Sequence, residues 1–268
     1  MTTRPTLQIR TSPHLKQGGD TRSIMRNVVF ALLPPSLFGV YCYGLSGFLM
    51  LTVTTGVCML TEWSLGQLSG RPSTLGDWSA VITGLLLGLT LPPSLPLWMA
   101  ALGAFMAMVL GKILFGGLGE NLLNPALVGR AFLMAAFPAS LTTWATPFLE
   151  NRFTSVPPSL LTWPFLQPSY DAISGATPLG AMKFSGTATQ LSDAILGFTS
   201  GSIGESSAAL ILLGGLYLAF RRMLNWRIPF AILLSTVIFS GALRLWQPET
   251  YATPIHHLFS GGLMLGAF

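Results

Sequence analysis

Eight apolar runs, near residues 27–43, 47–65, 78–91, 96–114, 126–140, 206–220, 228–245 and 256–268, constrain this chain more than any motif. A helix needs about 20 apolar residues to cross a bilayer, and a spanning helix satisfies its own backbone hydrogen bonds where no water can. The runs therefore predict an all-α, polytopic helical membrane protein. A soluble alternative fails on charge, because only 9% of the residues are charged whereas a soluble domain carries about a quarter. Pro34 and Pro35 lie inside the first run and are expected to distort that helix, since proline removes a backbone donor and crowds the preceding turn.

Charge then orients the layout. Arg4, Arg10, Lys16, Arg22 and Arg26 all precede the first span, where basic residues act as topogenic anchors rather than as a nucleic-acid surface. Residues 1–26 lack the apolar core and small-residue cleavage site of a secretory signal, and they are read as a cytoplasmic segment. With the N-terminus inside, Arg71, Lys112, Arg130, Arg221, Arg222 and Arg227 fall at or near cytoplasmic ends, while Arg152, Lys183 and Arg244 lie toward the other side. Five spans in residues 27–140 form a first bundle and put residues 141–205 outside. Residues 206–268 begin a second bundle, and a run that stops at SGGLMLGAF predicts that the sequence continues past Phe268.

The 141–205 interval is rich in Pro, Ser, Thr and Gly, the residues that break regular structure. Loops of that length in a compact protein are functional or disordered, and its Trp, Phe and Tyr residues argue for packing, with Trp144, Trp163 and Phe165 also suited to anchoring at the interface. Within it stands SYDAISGATPLGAMK, residues 169–183. Ser174, Gly175 and Ala176 present little bulk beside Thr177, and Pro178 stiffens the chain. That is room for a group on the threonine, although Ser, Gly and Pro together also specify a plain turn.

The pattern DAISGAT resembles the flavinylation motif of the NqrB/RnfD family of membrane subunits. The resemblance implies that the Thr177 oxygen carries FMN through a phosphoester, with Asp171, Ser174, Gly175 and Ala176 as the attachment motif. It extends to TSPH at 11–14, LTLPP at 89–93 and GGLGENLLNPALVGRAF at 116–132, in the family's order, and TPLGAMK is closer to the RnfD branch. As the family implies, such a chain is a redox component of an Rnf-type complex in the bacterial inner membrane that couples ferredoxin and NAD to Na⁺ or H⁺ movement. Implied partners are a second flavin subunit, iron-sulfur subunits, a flavin transferase for maturation and the lipid bilayer. A second flavin, riboflavin, is also implied.

Three glycines, two asparagines and a proline in Gly116–Ala126 cannot continue a regular helix. The stretch is read either as a re-entrant break, whose exposed helix ends bind ions or a cofactor, or as a tight packing turn. Gly116, Gly117, Asn121 and Asn124 are its candidate contacts. The segment HHLFSGGLMLGAF echoes GKILFGGLGENLLNPALVGRAF, LFSGGL against LFGGL, which predicts an internal inverted repeat. Glu62, Asp77, Glu120 and Arg130 are the ionisable groups nearest membrane depth; Asp77 is read as a helix cap and Glu62 as snorkelling to the interface. Cys42 and Cys58 are expected to pack as small apolar groups, and no His or Cys spacing predicts a metal. The rival reading is a transporter or channel-like membrane protein in which SGAT is only a loop.

Overall fold

The computed structural model describes residues 21–70, 74–166, 168, 175–186, 190–247 and 251–268. Its α-helices are α1 Thr21–Tyr43, α2 Leu45–Leu68, α3 Ser79–Thr90, α4 Leu97–Met108, α5 Pro125–Ala136, α6 Pro138–Leu141, α7 Pro178–Ser185, α8 Leu191–Leu196, α9 Ala208–Phe220, α10 Arg227–Trp246, α11 Pro254–Phe259 and α12 Leu263–Ala267. Among the described residues the architecture is all-α. Helices α1, α2 and α10, with 23, 24 and 20 residues, are long and apolar enough to cross a membrane.

The others are shorter than their apolar runs. Helix α3 has 12 residues, about 18 Å at the α-helical rise, which falls short of a hydrocarbon core of about 30 Å. It stops because Pro92 and Pro93 follow, and the connection that begins there is buried through Leu95. The chain between α3 and α4 therefore lies inside the protein, where irregular backbone is tolerated. Helix α4 continues through a π-helical turn, Val109–Ile113, which apolar periodicity does not reveal. The final apolar run is two short helices, broken at Ser260–Gly262, where Gly261 adopts a φ of 74°.

Small residues bring the first five helices together. A Cβ on Gly84 would overlap the Thr55 Cα, one on Gly103 would overlap Leu133 Cδ1, and one on Gly129 would lie 2.7 Å from the Gly103 carbonyl oxygen. Close approach of this kind replaces the hydrophobic drive that lipid removes. The resulting core joins Met50, Leu87, Leu91, Met108, Leu133 and Ile203, and Cys42 and Cys58 are buried in it as small packing groups.

Helix α1 runs through Pro34 and Pro35. The two prolines leave the Phe30 and Ala31 carbonyls without their usual partners. Ser36 Oγ donates to Leu32 O at 2.7 Å, and α9 lays Gly214 against Ala31 O, where a Cβ would stand 2.7 Å away. Helix α9 is also tied to α1 at its far end, where Tyr217 donates to Asn27 Oδ1 at 2.6 Å and Arg221 donates to the same oxygen at 3.2 Å. Helix α10 is largely exposed along an apolar surface that includes Phe230, Leu234, Ile238 and Phe239, as contact with lipid requires.

The bundle has two ends. One gathers the start of α1, the end of α2, the start of α3, the π turn and the start of α5, since Gly76 approaches Arg22, Lys112 meets Glu62 and Gly111 packs on Pro125. The other gathers the α1–α2 junction and the polar segment. That segment enters the bundle: Ile203 N donates to Leu91 O at 3.2 Å and its side chain is fully buried. Gly204 fits between Leu89 of α3 and Leu265 of α12. The two echoed stretches, LFGGL at 114–118 and LFSGGL at 258–263, differ by one residue and in conformation. Leu114–Leu118 forms an exposed turn after α4, and 258–263 spans the break between α11 and α12.

Candidate functional site

The 142–160 stretch is fastened to the bundle by backbone contacts that need particular side chains. Ser94 Oγ, in the buried α3–α4 connection, donates to Thr143 O at 2.7 Å. Gly44 turns between α1 and α2 with a φ of 61°, and it presses so closely on Arg152 that a Cβ would collide with Arg152 O. Leu45 N donates to that same oxygen at 2.8 Å. The Arg152 guanidinium then donates to Tyr41 O at 3.0 Å, at the end of α1, and lies 4.9 Å from the centre of the Phe153 ring. A cation over a ring and on helix-terminal carbonyls is favourable at both contacts.

The motif segment docks against this frame. Gly175 N donates to Trp144 O at 3.0 Å. A Cβ on Gly175 would collide with Ser200 Oγ and lie 3.2 Å from Thr146 Cγ2, so the glycine of SGAT is required by space. Two residues on, Thr177 is the N-cap of α7, half-buried, and its Oγ1 accepts from Gly180 N at 3.1 Å. Pro178 takes the first helical position, where its missing N–H costs nothing. Ala176 between them is exposed. Asp171 and Ser174 lie outside the described residues.

A cavity of about 650 Å³ opens beside this segment. Tyr43, Ser46, Pro93, Trp144, Thr146 and Arg152 are among its lining residues, and the Thr146 hydroxyl is buried without a partner. Thr146 and Ser200 were not legible as site residues, because only the fold brings them to Gly175.

The second candidate region lies at the opposite end. Gly116, Gly117 and Gly119 have φ of 116°, 115° and 95°, and a Cβ on Gly117 or Gly119 would meet nothing within 4 Å. These glycines supply a backbone with positive φ and not close packing. Asn121 serves its own loop, accepting from Gly119 N at 3.3 Å and donating to Leu123 O at 3.0 Å. Asn124 caps α5 by accepting from Ala126 N at 3.0 Å. The structure thus gives both asparagines local partners and does not bring them near Thr177.

At that same end Glu62 is buried, not snorkelling. Lys112 donates to Glu62 Oε1 at 2.5 Å and to Ser79 Oγ at 2.5 Å, and Thr74 donates to Glu62 Oε1 at 2.5 Å. Glu62 Oε2 is buried with no partner. The π turn carries Lys112 to this position. Asp77 caps α3 as expected, accepting from Ser79 N at 2.8 Å. Arg130 donates to Thr90 O, in the last turn of α3, and so its guanidinium points away from the end where the sequence placed it. Glu120 lies in the exposed turn. No group of three or more His, Cys, Asp or Glu residues suited to a metal occurs among the described residues.

A helical membrane bundle with broken spans and a polar segment folded into one end is the class of protein defined here. The chain belongs to the NQR2, RnfD, RnfE family, whose model matches residues 8–268. It is similar to the D component of the Na⁺-translocating ferredoxin:NAD⁺ oxidoreductase complex of Acetobacterium woodii, 38% identical over 98% of this chain and 75% of that protein. The counterpart from the proton-translocating complex of Clostridium ljungdahlii is 34% identical over 97% of this chain and 76% of its own length. The D component of the ion-translocating oxidoreductase complex of Halorhodospira halophila is 35% identical over 96% and 76%.

Proposed function

We propose that this chain is the flavin-carrying RnfD component of an ion-translocating ferredoxin:NAD⁺ oxidoreductase complex, with FMN joined to Thr177 Oγ1 through a phosphoester, on the periplasmic face of a bacterial inner membrane. The observation that carries the reading is the setting of Thr177. Its oxygen stands at the N-terminus of α7, two residues past a glycine whose Cβ would collide with Ser200. A phosphate on that oxygen meets the positive end of the helix dipole, a contribution of about 0.3–1 kcal/mol, and Gly180 N is already directed at it. Exposed Ala176 leaves the approach clear.

Attachment balances as a phosphoryl transfer. The Thr177 hydroxyl, deprotonated by a base of a separate transferase, attacks the flavin-side phosphorus of FAD; the new P–O bond replaces the bond to the departing AMP. When bound, the flavin supplies one- and two-electron redox chemistry. The protein holds the phosphate at α7, fixes the segment through Gly175 and Trp144, and keeps the loop at the end of the bundle opposite Lys112. The basic residues at the end that holds Lys112 and Arg221 support placing the opposite end outside the cell membrane. Riboflavin stays an expectation drawn from the family, with Asn121 and Asn124 as candidates within a Gly116–Asn124 region open to a cofactor or an ion.

In-gel flavin fluorescence after denaturation tests the proposal. Wild type is expected to fluoresce at the mass of this protein and Thr177→Ala to lose that band; an unchanged band in the variant would remove Thr177 as the attachment point.

A further inference from the structure

We propose that residues 161–166 form a lipid-binding patch, a set of apolar side chains that enters the headgroup zone of the bilayer at the end of the bundle that holds Thr177. Four side chains make it. Phe165 is 98% exposed and Trp163 76%, and Leu161 and Leu166 are exposed beside them. Large apolar groups gathered at a surface mark a contact with a membrane or a partner. Trp144, Trp163 and Phe165 are alike in the sequence as interfacial anchors, and the structure separates them: Trp144 lines the cavity, while the other two are exposed.

The patch is built into the fold. Thr162 N donates to Ser159 O at 3.4 Å and Leu166 N donates to Trp163 O at 3.2 Å, so two successive turns set the four side chains. Ser159 and Leu160, just before them, are buried and fasten the first turn to the protein. Phe165 takes a φ of 69°, uncommon for a bulky residue and kept only where the surrounding structure imposes it. The fold thus holds an apolar ring outward in a conformation that an unconstrained loop avoids.

Position, continuity and charge make lipid the occupant. Phe165 stands beside Trp98 at the start of α4, ring centres 6.2 Å apart, and Trp98 meets Phe137, the residue that closes α5, at 5.3 Å. The patch therefore sits where two helices of the bundle end. Phe105, two turns from Trp98 and so on the same face of α4, is exposed, as are Met134, Ala135 and Ala136 of α5 just before Phe137. An exposed apolar flank of a membrane bundle faces acyl chains, and the patch continues that flank to the end of the helices. No Asp, Glu, Lys, Arg or His occurs between Arg152 and Asp171, so no ion has to leave water when the segment enters the headgroup zone. Tryptophan is enriched at that depth.

Spin-label accessibility tests the patch on the purified full-length protein in liposomes of phosphatidylcholine and phosphatidylglycerol. Cys42 and Cys58 are buried, so a nitroxide attaches selectively to an introduced cysteine. Labels are placed separately at Trp163→Cys, Phe165→Cys and, as the water-facing reference, Glu150→Cys, an exposed charged position earlier in the same polar segment. The ratio of collisions with dissolved oxygen, which concentrates in lipid, to collisions with a water-soluble nickel chelate is expected to be several-fold higher at 163 and 165 than at 150. Two patch positions are read, each at an exposed side chain, so one variant that fails to fold leaves the other to decide. A ratio at 163 and 165 equal to that at 150 would overturn the patch and place the segment in water. Labels shielded from both reagents would also overturn it, and would assign this surface to a protein contact.

Discussion

The two ends of the bundle solve the same problem in opposite ways. At one end Lys112, Glu62, Ser79 and Thr74 bring charged and polar groups into a buried place and close them on one another at 2.5 Å. At the other end Ser94, Thr143, Thr146, Ser200 and the Arg152 guanidinium stand in and beside the wall of an open space. A closed charge pair fixes helices; an open polar wall leaves room for a ligand. The contrast teaches that polarity inside a membrane bundle can serve packing at one end and line an open space at the other.

The closed end carries the largest expected effect. Removing one member of a buried ion pair strands the other charge and costs about 3–5 kcal/mol, whereas replacing both by apolar groups is often neutral. Lys112→Ala is therefore expected to lower the yield and thermal stability of the purified protein sharply, and Lys112→Met with Glu62→Leu to recover most of the loss. A Lys112→Ala protein as stable as wild type would show that the pair does not hold α2, α3 and the π turn together.

At the open end the expected effect on folding is smaller and the effect on the cofactor is larger. Gly175→Val places a side chain where Ser200 Oγ already stands, so the motif should leave Trp144 and covalent flavin per chain should fall several-fold on denaturing gels. Pairing Gly175→Ala with Ser200→Gly frees that space and should restore most of the signal. Full fluorescence in Gly175→Val would show that docking of the motif on Trp144 does not matter for attachment.

Much of this was legible in the chain and some was not. Apolar runs located the long helices α1, α2 and α10, and the structure holds the Gly175–Thr177 segment at the end of the bundle opposite Lys112. The third run, 78–91, and the Pro92–Pro93 pair after it located α3 to within a residue at each end, whereas periodicity did not show that Val109–Ile113 is a π turn, because hydrophobicity is continuous through it. The Thr177–Pro178 pair carried a helix-start signal that marks α7. The pairing of Lys112 with Glu62 joins residues far apart in sequence, so no local spacing encodes it. Of the motif, Gly175 and Thr177 gained a physical reason for their identity, one from steric room and one from a cap.

The central claim is that Thr177 bears a flavin, and the chain offers a direct measurement. No Lys or Arg lies between Arg152 and Lys183, so trypsin releases Phe153–Lys183 as one peptide containing the whole motif. Its mass is predicted to exceed that of the bare sequence by one FMN phosphoester, with fragmentation placing the increment on Thr177. An unmodified peptide from protein matured with an active flavin transferase, or an increment on another residue, would contradict the account.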